Sequence, residues 1–403
     1  MNKKVFIFML ACMLFLVIPK PSFAATENPD IYIKVNGVTL ISLDSMYMEN
    51  GTALVYYRFF FESLGMTVDL DHSTGRIQVF DGGESEPLLT LWLDSKKVSY
   101  KGKNWTLPVP VRRIGNLTYI PVRSIGELLG YQVQFNKAEQ IICLTKKIPG
   151  ESDKISPVLD AFFKEGQVNP SREIFSDSGW EDYRGFEPEI GVPFNFLPLL
   201  TSSFKVNDII YLSENHAFVK VSYASSSAVF KREIDFTFSV TKKKQDWKLS
   251  GFYMGNTRHE MAEGAREEGA AVALQAKEAA SVMADLEKYS QAWKDDNAAA
   301  ILQSTSPVYI NEYEAATGVR YENALSYQSS LYNKKRASET FIPYLSDDHA
   351  VVYVSELQTD VDDDGKLVKV QVDTLIRMDK TEDGRWTVHS KLELVDFWLA
   401  FSL

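Results

Sequence analysis

The sequence predicts an α+β protein in three parts: a duplicated β-α-β module, then two domains that each set a helix against a curved, cone-like antiparallel sheet. Three observations carry this. Residues 51–70 and 116–135 repeat one pattern at a spacing of 65. Between Ile155 and Tyr253 an apolar helix precedes several strand-like runs, an order that suits α+β rather than alternating βαβ units. From about Ala280 to Phe401 the same order returns.

The repeat is GTALVYYRFFFESLGMTVDL followed by NLTYIPVRSIGELLGYQVQF. Arg58 aligns with Arg123, Glu62 with Glu127, Leu64 with Leu129, Gly65 with Gly130 and Val68 with Val133. Leu117 to Val122 is rich in β-formers, and Pro121 near its end suits a strand edge. Ile125, Leu128 and Leu129 have the spacing of a helix face. Gly130 stands where a helix stop needs a left-handed residue. Tyr131, Val133 and Phe135 alternate with polar residues, as in a half-buried strand. The offset reaches upstream to Gly37 and Gly102, so the repeated unit spans about 50 residues or more. Arg58 and Arg123 invite a binding reading, but each precedes a glutamate by four residues, and pairing across a helix turn is the expected use of both.

Residues 1–24 read as a secretory signal. Lys3 and Lys4 give the positive start, Val5 to Ile18 the apolar run, and Ser22-Phe23-Ala24 the cleavage site. A lipoprotein reading at Cys12 suits the sequence less well, because apolar residues continue past it. No other apolar run is long enough to span a membrane. Cys143 is then the one cysteine left, which excludes an internal disulfide. Lying in the run Ile141 to Leu144, it is expected to be a buried, inert thiol. An exported chain of this size without disulfides points to a bacterium and to cores that suffice alone.

Without Lys3, Lys4 and Lys20 the chain carries 40 basic and 54 acidic residues, a net of −14. Residues 25–150 are balanced at 13 against 13, so the negative excess lies wholly in the rest. This argues against nucleic acid as a partner, since phosphate contacts need Lys and Arg. It also argues against docking on anionic membranes. Residues 146–153, KKIPGESD, form a linker. The expected domains are 25–147, 148–256 and 257–403.

The second part opens with Val158, Leu159, Phe162 and Phe163 on a helix. Strand-like runs follow at Asp208–Leu212, Ala217–Tyr223 and Ile234–Val240, with a fourth from Trp247. Thr257 to Asp296 reads as one long linking helix. Val272, Ala276, Ala279, Met283 and Leu286 form its core-facing seam, widened by Val282 and Tyr289. The third part echoes the second. Asn215 to Val221 matches Asp348 to Val354, and Asp235 to Trp247 matches Asp373 to Trp386.

These residues carry two family resemblances. Ile120, Pro121, Val122, Arg123, Glu127, Leu129, Gly130 and Val133, with their partial echo from Gly51, resemble the copper amine oxidase N-terminal-like domain of bacterial surface proteins, over roughly Ile31 to Lys147. The first copy departs at Tyr56, where the family has proline. The resemblance implies a stalk or adaptor unit. Copper is not expected, because Ile31 to Lys147 holds one histidine, His72, and one cysteine, Cys143, and copper needs several imidazoles in defined geometry. The element order of the second and third parts, with a late Trp opening the final strand, looks like the nuclear transport factor 2-like fold. That resemblance implies a cone that can enclose a pocket, in some members a catalytic one.

Candidate chemistry is sparse. His216 and His349 occupy matching positions and could mark a shared site, but N-H-A and D-H-A also read as turns with a surface histidine. A lone histidine is not a catalytic constellation. His259-Glu260 opens like a zinc-protease helix, but Glu263 stands where the second histidine is needed. There is no G-x-S-x-G and no glycine-rich phosphate loop. Asp360, Asp362 and Asp364, before Gly365, form the first half of a calcium loop, with Gln371 in place of the closing acid. The competing reading is a hairpin tip. The expected function is an exported, non-catalytic binding or adaptor protein of the surface or envelope, whose partner is a protein or a cell-wall component. The alternative is a small-molecule carrier or enzyme using a cone pocket.

Overall fold

The protein is described by a computed structural model covering residues 26–27, 31–40, 46–82, 84–163, 170–181, 183, 196–269, 277–328, 336–361, 367–394 and 396–397. It divides into two compact units, on either side of the step from Lys147 to Ile148.

The first unit holds three sheets. One runs β1 (Thr26–Glu27), β4 (Tyr47–Glu49), β5 (Thr52–Tyr56), β12 (Leu117–Pro121) and β11 (Arg112–Ile114). A second runs β10 (Lys103–Thr106), β9 (Lys97–Tyr100), β8 (Leu89–Trp92), β7 (Arg76–Asp81) and β6 (Met66–Asp71). The third runs β13 (Gln132–Asn136), β14 (Ile141–Thr145), β2 (Tyr32–Val35) and β3 (Val38–Leu40). Helices α1 (Tyr57–Ser63) and α2 (Val122–Leu128) follow β5 and β12 without a break. Both pattern segments therefore fold as strand, short helix, strand. Their first strands pair antiparallel, Ile120 against Val55.

The glycines explain the sharp stops. Gly65 and Gly130 have φ of +74° and +88°, the left-handed state a residue with Cβ avoids. Tyr56 enters α1 at φ −59°, close to the −72° of Pro121, so the missing proline costs the first segment little in geometry. Arg58 and Glu62 pair across one turn at 3.0 Å, both exposed. The second pairing is not seen: Arg123 has no ion-pair partner among the described residues, and its side chain borders a cleft instead. Cys143 is half-buried rather than buried, because alternation along β14 turns Ile142 and Leu144 inward and Cys143 to the other face. Phe135 is 42% exposed, so the buried face of β13 fades towards its end.

The second unit begins with α3 (Ser152–Phe162), which covers a sheet of β15 (Thr201–Ser213), β16 (His216–Ser226), β17 (Phe230–Lys243) and β18 (Asp246–Met261). The strands are longer than the apolar runs suggest because the ladder carries their polar ends. Thr257 to Met261 are strand, paired with Phe230 to Ile234, and not the start of a helix. Cross-strand pairing overrides the helical composition there. The long helix starts later, as α4 (Ala279–Lys294), with Val282, Leu286 and Tyr289 buried as expected. Val272 and Ala276 lie outside the described residues.

After α4 come α5 (Ala298–Ser304), α6 (Pro307–Thr317) and α7 (Tyr321–Gln328). The second sheet follows: β19 (Arg336–Leu345), β20 (His349–Val361), β21 (Leu367–Lys380) and β22 (Trp386–Leu394). The two sheets belong to one unit. Phe196, Leu197, Val229 and Phe230 pack against Val351, Tyr353, Leu375 and Leu392. A last strand, β23 (Asp396–Phe397), pairs with β18 and so closes the edge of the first sheet with chain that follows the second.

A glutamate fastens each of α3 and α4 to its sheet. In the first it forms a trio with a lysine and a tryptophan. In the second it meets the lysine alone, Trp386 Nε1 having no hydrogen-bond partner among the described residues. Glu151, before α3, accepts from Lys242 Nζ at 3.0 Å and from Trp247 Nε1 at 2.8 Å. Glu278, before α4, accepts from Lys380 Nζ, whose ammonium lies 5.6 Å from the Trp386 ring. The donors Lys154, Lys242 and Trp247 hold the Glu151 carboxyl down at about 2. A group lowered in this way adds stability above its ordinary value, and that stability is lost as pH falls towards the folded value. Glu151→Ala should therefore cost roughly 1–3 kcal/mol at pH 7, the range for orphaning a buried donor. The difference from the parent should shrink steadily between pH 4.5 and 2. Urea unfolding followed by tryptophan fluorescence reads both, and a variant as stable as the parent at pH 7 would remove the trio from the account.

Candidate functional site

The interior of the first sheet is filled. Phe162 of α3 meets Phe238 edge to face at 4.9 Å and also contacts Phe163, Phe175, Tyr183, Phe236 and Phe252. Phe163 stacks on Tyr223 at 5.2 Å and Phe204 at 4.8 Å. Aromatic rings offset and tilted at these separations are close-packed and leave no room for a substrate among them. The second sheet is covered by Val282, Leu286, Trp293 and Ile301, with Trp386 and Val388 from the sheet itself.

The histidines do not lie free on turns. His216 is buried at 6% exposure, and its Nε2 lies 2.8 Å from Ser239 Oγ, which lies 2.9 Å from Ser250 Oγ. His349 is half-buried with Nδ1 3.0 Å from Asp379 Oδ1. The cause of the difference lies across the ladder: His216 faces Thr241, and His349 faces Asp379. Matching positions thus hold unlike partners, a chain of hydroxyls in one sheet and a carboxylate in the other. They do not make one shared site.

Around Asp379 the second sheet gathers the densest set of titratable groups. Arg377 Nε donates to Asp379 Oδ1 at 2.9 Å, and its Nη1 reaches the Phe196 carbonyl at 3.3 Å. His389, at a bulge in β22, is 4% exposed, with Nε2 3.9 Å from Asp379 Oδ2 and 3.7 Å from Glu312 Oε2. Burial, and then the charge of Arg377, push His389 down to about 4, so it is neutral at pH 7. Burial also raises Glu312. Sequence reasoning missed His389 and Asp379, since only the fold brings residues 349, 379 and 389 together. A neutral imidazole beside a carboxylate can accept a proton. Here, however, Asp379 is already engaged by Arg377 and His349, and Arg377 in turn ties the sheet to the segment at Phe196.

Two cavities lie elsewhere. A groove of about 420 Å³ on the first sheet is lined by Ser222, Glu233, Asp235, Asn256 and Arg258, among others. Its polar groups satisfy one another: Ser222 donates to Asp235 at 2.7 Å and Asn256 to Asp235 at 3.3 Å. A cleft of about 350 Å³ in the first unit is lined mostly by apolar residues and by Arg123. Neither cavity is lined by His216, His349 or His389.

The sequence-derived metal positions fare unevenly. Asp360 lies in β20, while Asp362 and Asp364 lie outside the described residues. Gln371, at the twelfth position of the loop pattern, sits within β21 opposite Leu357 and donates to Ser355 at 2.9 Å. Among the described residues there is no group of three His, Cys, Asp or Glu side chains placed to hold a metal ion. His72 is exposed and apart from any such group. His259 lies in a strand rather than a helix, with Nδ1 3.2 Å from the Glu393 carbonyl. Among the described residues, no helix is long and apolar enough to cross a membrane.

Residues 34–144 match the copper amine oxidase N-terminal domain. That match lies within the first unit and leaves the second outside it. No curated protein matches the chain. Among solved structures, a ketosteroid isomerase-like protein from Erwinia carotovora atroseptica SCRI1043 is 15% identical over 29% of this chain and 95% of its own, with a TM-score of 0.21. An Ntf2 like protein involved in plasmid conjugation is 10% identical over 49% of this chain and 79% of its own, with a TM-score of 0.18. At such scores neither similarity implies a shared reaction or ligand.

The buried histidine makes a pH prediction. Its folded pKa lies below the ordinary value of 6.5, so the unfolded chain binds the extra proton first. The stabilisation is fully present above pH 6.5 and is lost as pH falls towards 4. His389→Gln should remove part of the loss of melting temperature between pH 6.5 and 4, leaving His259, lowered to about 4 by burial and by Arg232, as the second contributor. Parallel thermal melts across that window test this, and identical slopes for parent and variant would overturn it.

Proposed function

We propose that this chain is a non-catalytic binding or adaptor protein, exported by a bacterium and acting at its surface or envelope. The observation that carries the non-catalytic reading is the aromatic filling of the first sheet around Phe162. The cluster at Asp379 supports it, because His349 and Arg377 engage Asp379 within the second sheet and Arg377 also reaches the Phe196 carbonyl. The match of residues 34–144 supports an adaptor role for the first unit. Export rests on the signal pattern of residues 1–24, with cleavage after Ala24. On this reading the first unit is built from two copies of one β-α-β element. Helices at 57–63 and 122–128 keep the 65-residue spacing of the sequence pattern. The second unit is then a pair of cone-like domains that share an apolar face.

The filled interior gives a direct test. Titrating the parent with benzene, followed through NMR contacts to the Phe162 cluster, should show none bound there, since the described rings around Phe162 leave no cavity of that size between them. Phe162→Ala removes a fully buried ring and should cost about 3–5 kcal/mol. Benzene should then restore part of that loss by occupying the space. A parent protein that itself takes up one benzene among the rings around Phe162 would favour the carrier or enzyme reading instead.

A further inference from the structure

The geometry points to the Arg123 cleft of the first unit as a binding site for a short extended peptide that presents a carboxylate beside an apolar side chain. This deepens the adaptor reading and rests on it. Four features carry the assignment.

The cleft is about 350 Å³, large enough for one or two side chains. Ile31, Val122 and Ile142 are buried residues at its wall, and Val133 and the exposed ring of Phe135 extend its apolar surface outward. An outward-facing phenyl ring on a strand that otherwise turns polar residues to solvent is the kind of anchor a partner's side chain covers.

Among the described residues Arg123 is the one charged residue lining the cleft, and no acid lines it. Glu127 stands four residues on, where Glu62 pairs with Arg58 in the other segment, yet the guanidinium has no ion-pair partner among the described residues. A planar fork over an apolar wall suits a carboxylate, held bidentately. An apolar wall gives a fully hydrated phosphate little to bind.

The backbone supplies the third feature. β5 pairs with β12 at Leu54, Val55 and Tyr56 only, because at Pro121 the neighbouring strand turns into α2. On that side Ala53 has no strand partner among the described residues, and its main-chain N–H and C=O face the open edge, while those of Thr52 face β4 across the Asn50-Gly51 turn. Both residues line the cleft. Extended peptides add to such open edges through main-chain hydrogen bonds. The fourth feature is Gly51, which closes the β4–β5 hairpin at φ +73° with nothing within 4 Å of a built Cβ, so the mouth is open at that end.

The three parts address three parts of one ligand: Arg123 its carboxylate, Phe135 and its neighbours its apolar side chain, Ala53 its main chain. The test uses the full chain and a pool of hexapeptides with free carboxyl termini, randomised at four positions, with the amidated pool beside it. Selected peptides should pair an apolar residue with a terminal or side-chain carboxylate. Arg123→Gln should weaken the selected peptides about tenfold or more, the scale of a lost charge-assisted pair. Phe135→Ser should weaken them as well, and Arg58→Gln should leave them unchanged. Both cleft side chains are exposed, so the variants should melt with the parent. Hydrogen exchange on the parent needs no variant: peptide should slow the amide of Ala53, whereas that of Thr52, already in the β4–β5 hairpin, should not change. Selected peptides that bind Arg123→Gln and Phe135→Ser as tightly as the parent would overturn the cleft and leave the chain a binder. A pool yielding no peptide overturns the cleft too, while the benzene titration decides the broader reading independently.

Discussion

The second unit depends on a carboxylate placed at the mouth of an apolar helix. An 11-residue helix such as α3 is marginal alone, and burying its apolar face is a non-directional force that fixes neither its angle nor its register. Glu151 supplies the direction. It takes an ammonium from the end of β17 and an indole N–H from the start of β18, so the helix is pinned where the sheet's last hairpin turns. Its backbone N–H also donates to the Tyr211 hydroxyl at 2.7 Å, which ties the same point to β15. The second sheet repeats the solution with Glu278, Lys380 and the Trp386 ring, and adds Asp285, which accepts from the Trp386 amide at 2.9 Å. With the helix held at one end, the phenylalanines further along α3 can only close over the sheet, and the interior fills.

That filling decides how the histidines are to be understood. A cone opens a site when polar groups converge inside it. Here the inner faces of the strands carry Val219, Val221, Phe236 and Phe238, while the polar groups fall at strand ends and between the sheets. His349, Arg377 and Asp379 share the strand face of Val351 and Leu375, the face that meets Phe196 and Phe230. The cluster therefore works at a seam. Its charges are paired where two apolar surfaces meet, and the neutral His389 sits beside them at low exposure because a bulge in β22 turns it there.

Much of the fold was legible, because local chemistry wrote it. Gly65 and Gly130 stop their helices in the left-handed state, and the period of Ile125, Leu128 and Leu129 set a helix where one stands. The late Trp was readable as a strand start, though its bond to Glu151, 96 residues away, was not. Thr257 to Met261 misled because its charged composition suits a surface helix, and only pairing with Phe230 to Ile234 makes it a strand. Cys143 and Phe135 were misplaced for a related reason. An apolar run shows that a strand is buried somewhere, but which residues turn inward depends on the neighbouring strand and on where cover ends. His389 and Asp379 carried no signal at all, since residues 349, 379 and 389 meet only through the hairpins of the second sheet.

The two segments of the first unit show how one pattern can serve two ends. In the first, Arg58 lies over Tyr57 and pairs with Glu62, and Ile77, at the place corresponding to Ile142, is fully buried. In the second, Arg123 leaves Glu127 alone, Phe135 replaces the half-buried Leu70, and the wall beside them stands open. The first segment closes by packing, and the second leaves part of its apolar wall in reach of a partner. The first unit is close to neutral in net charge while the rest of the chain is strongly acidic. In that near-neutral unit an acidic ligand meets the Arg123 cation at this cleft without a large opposing net charge.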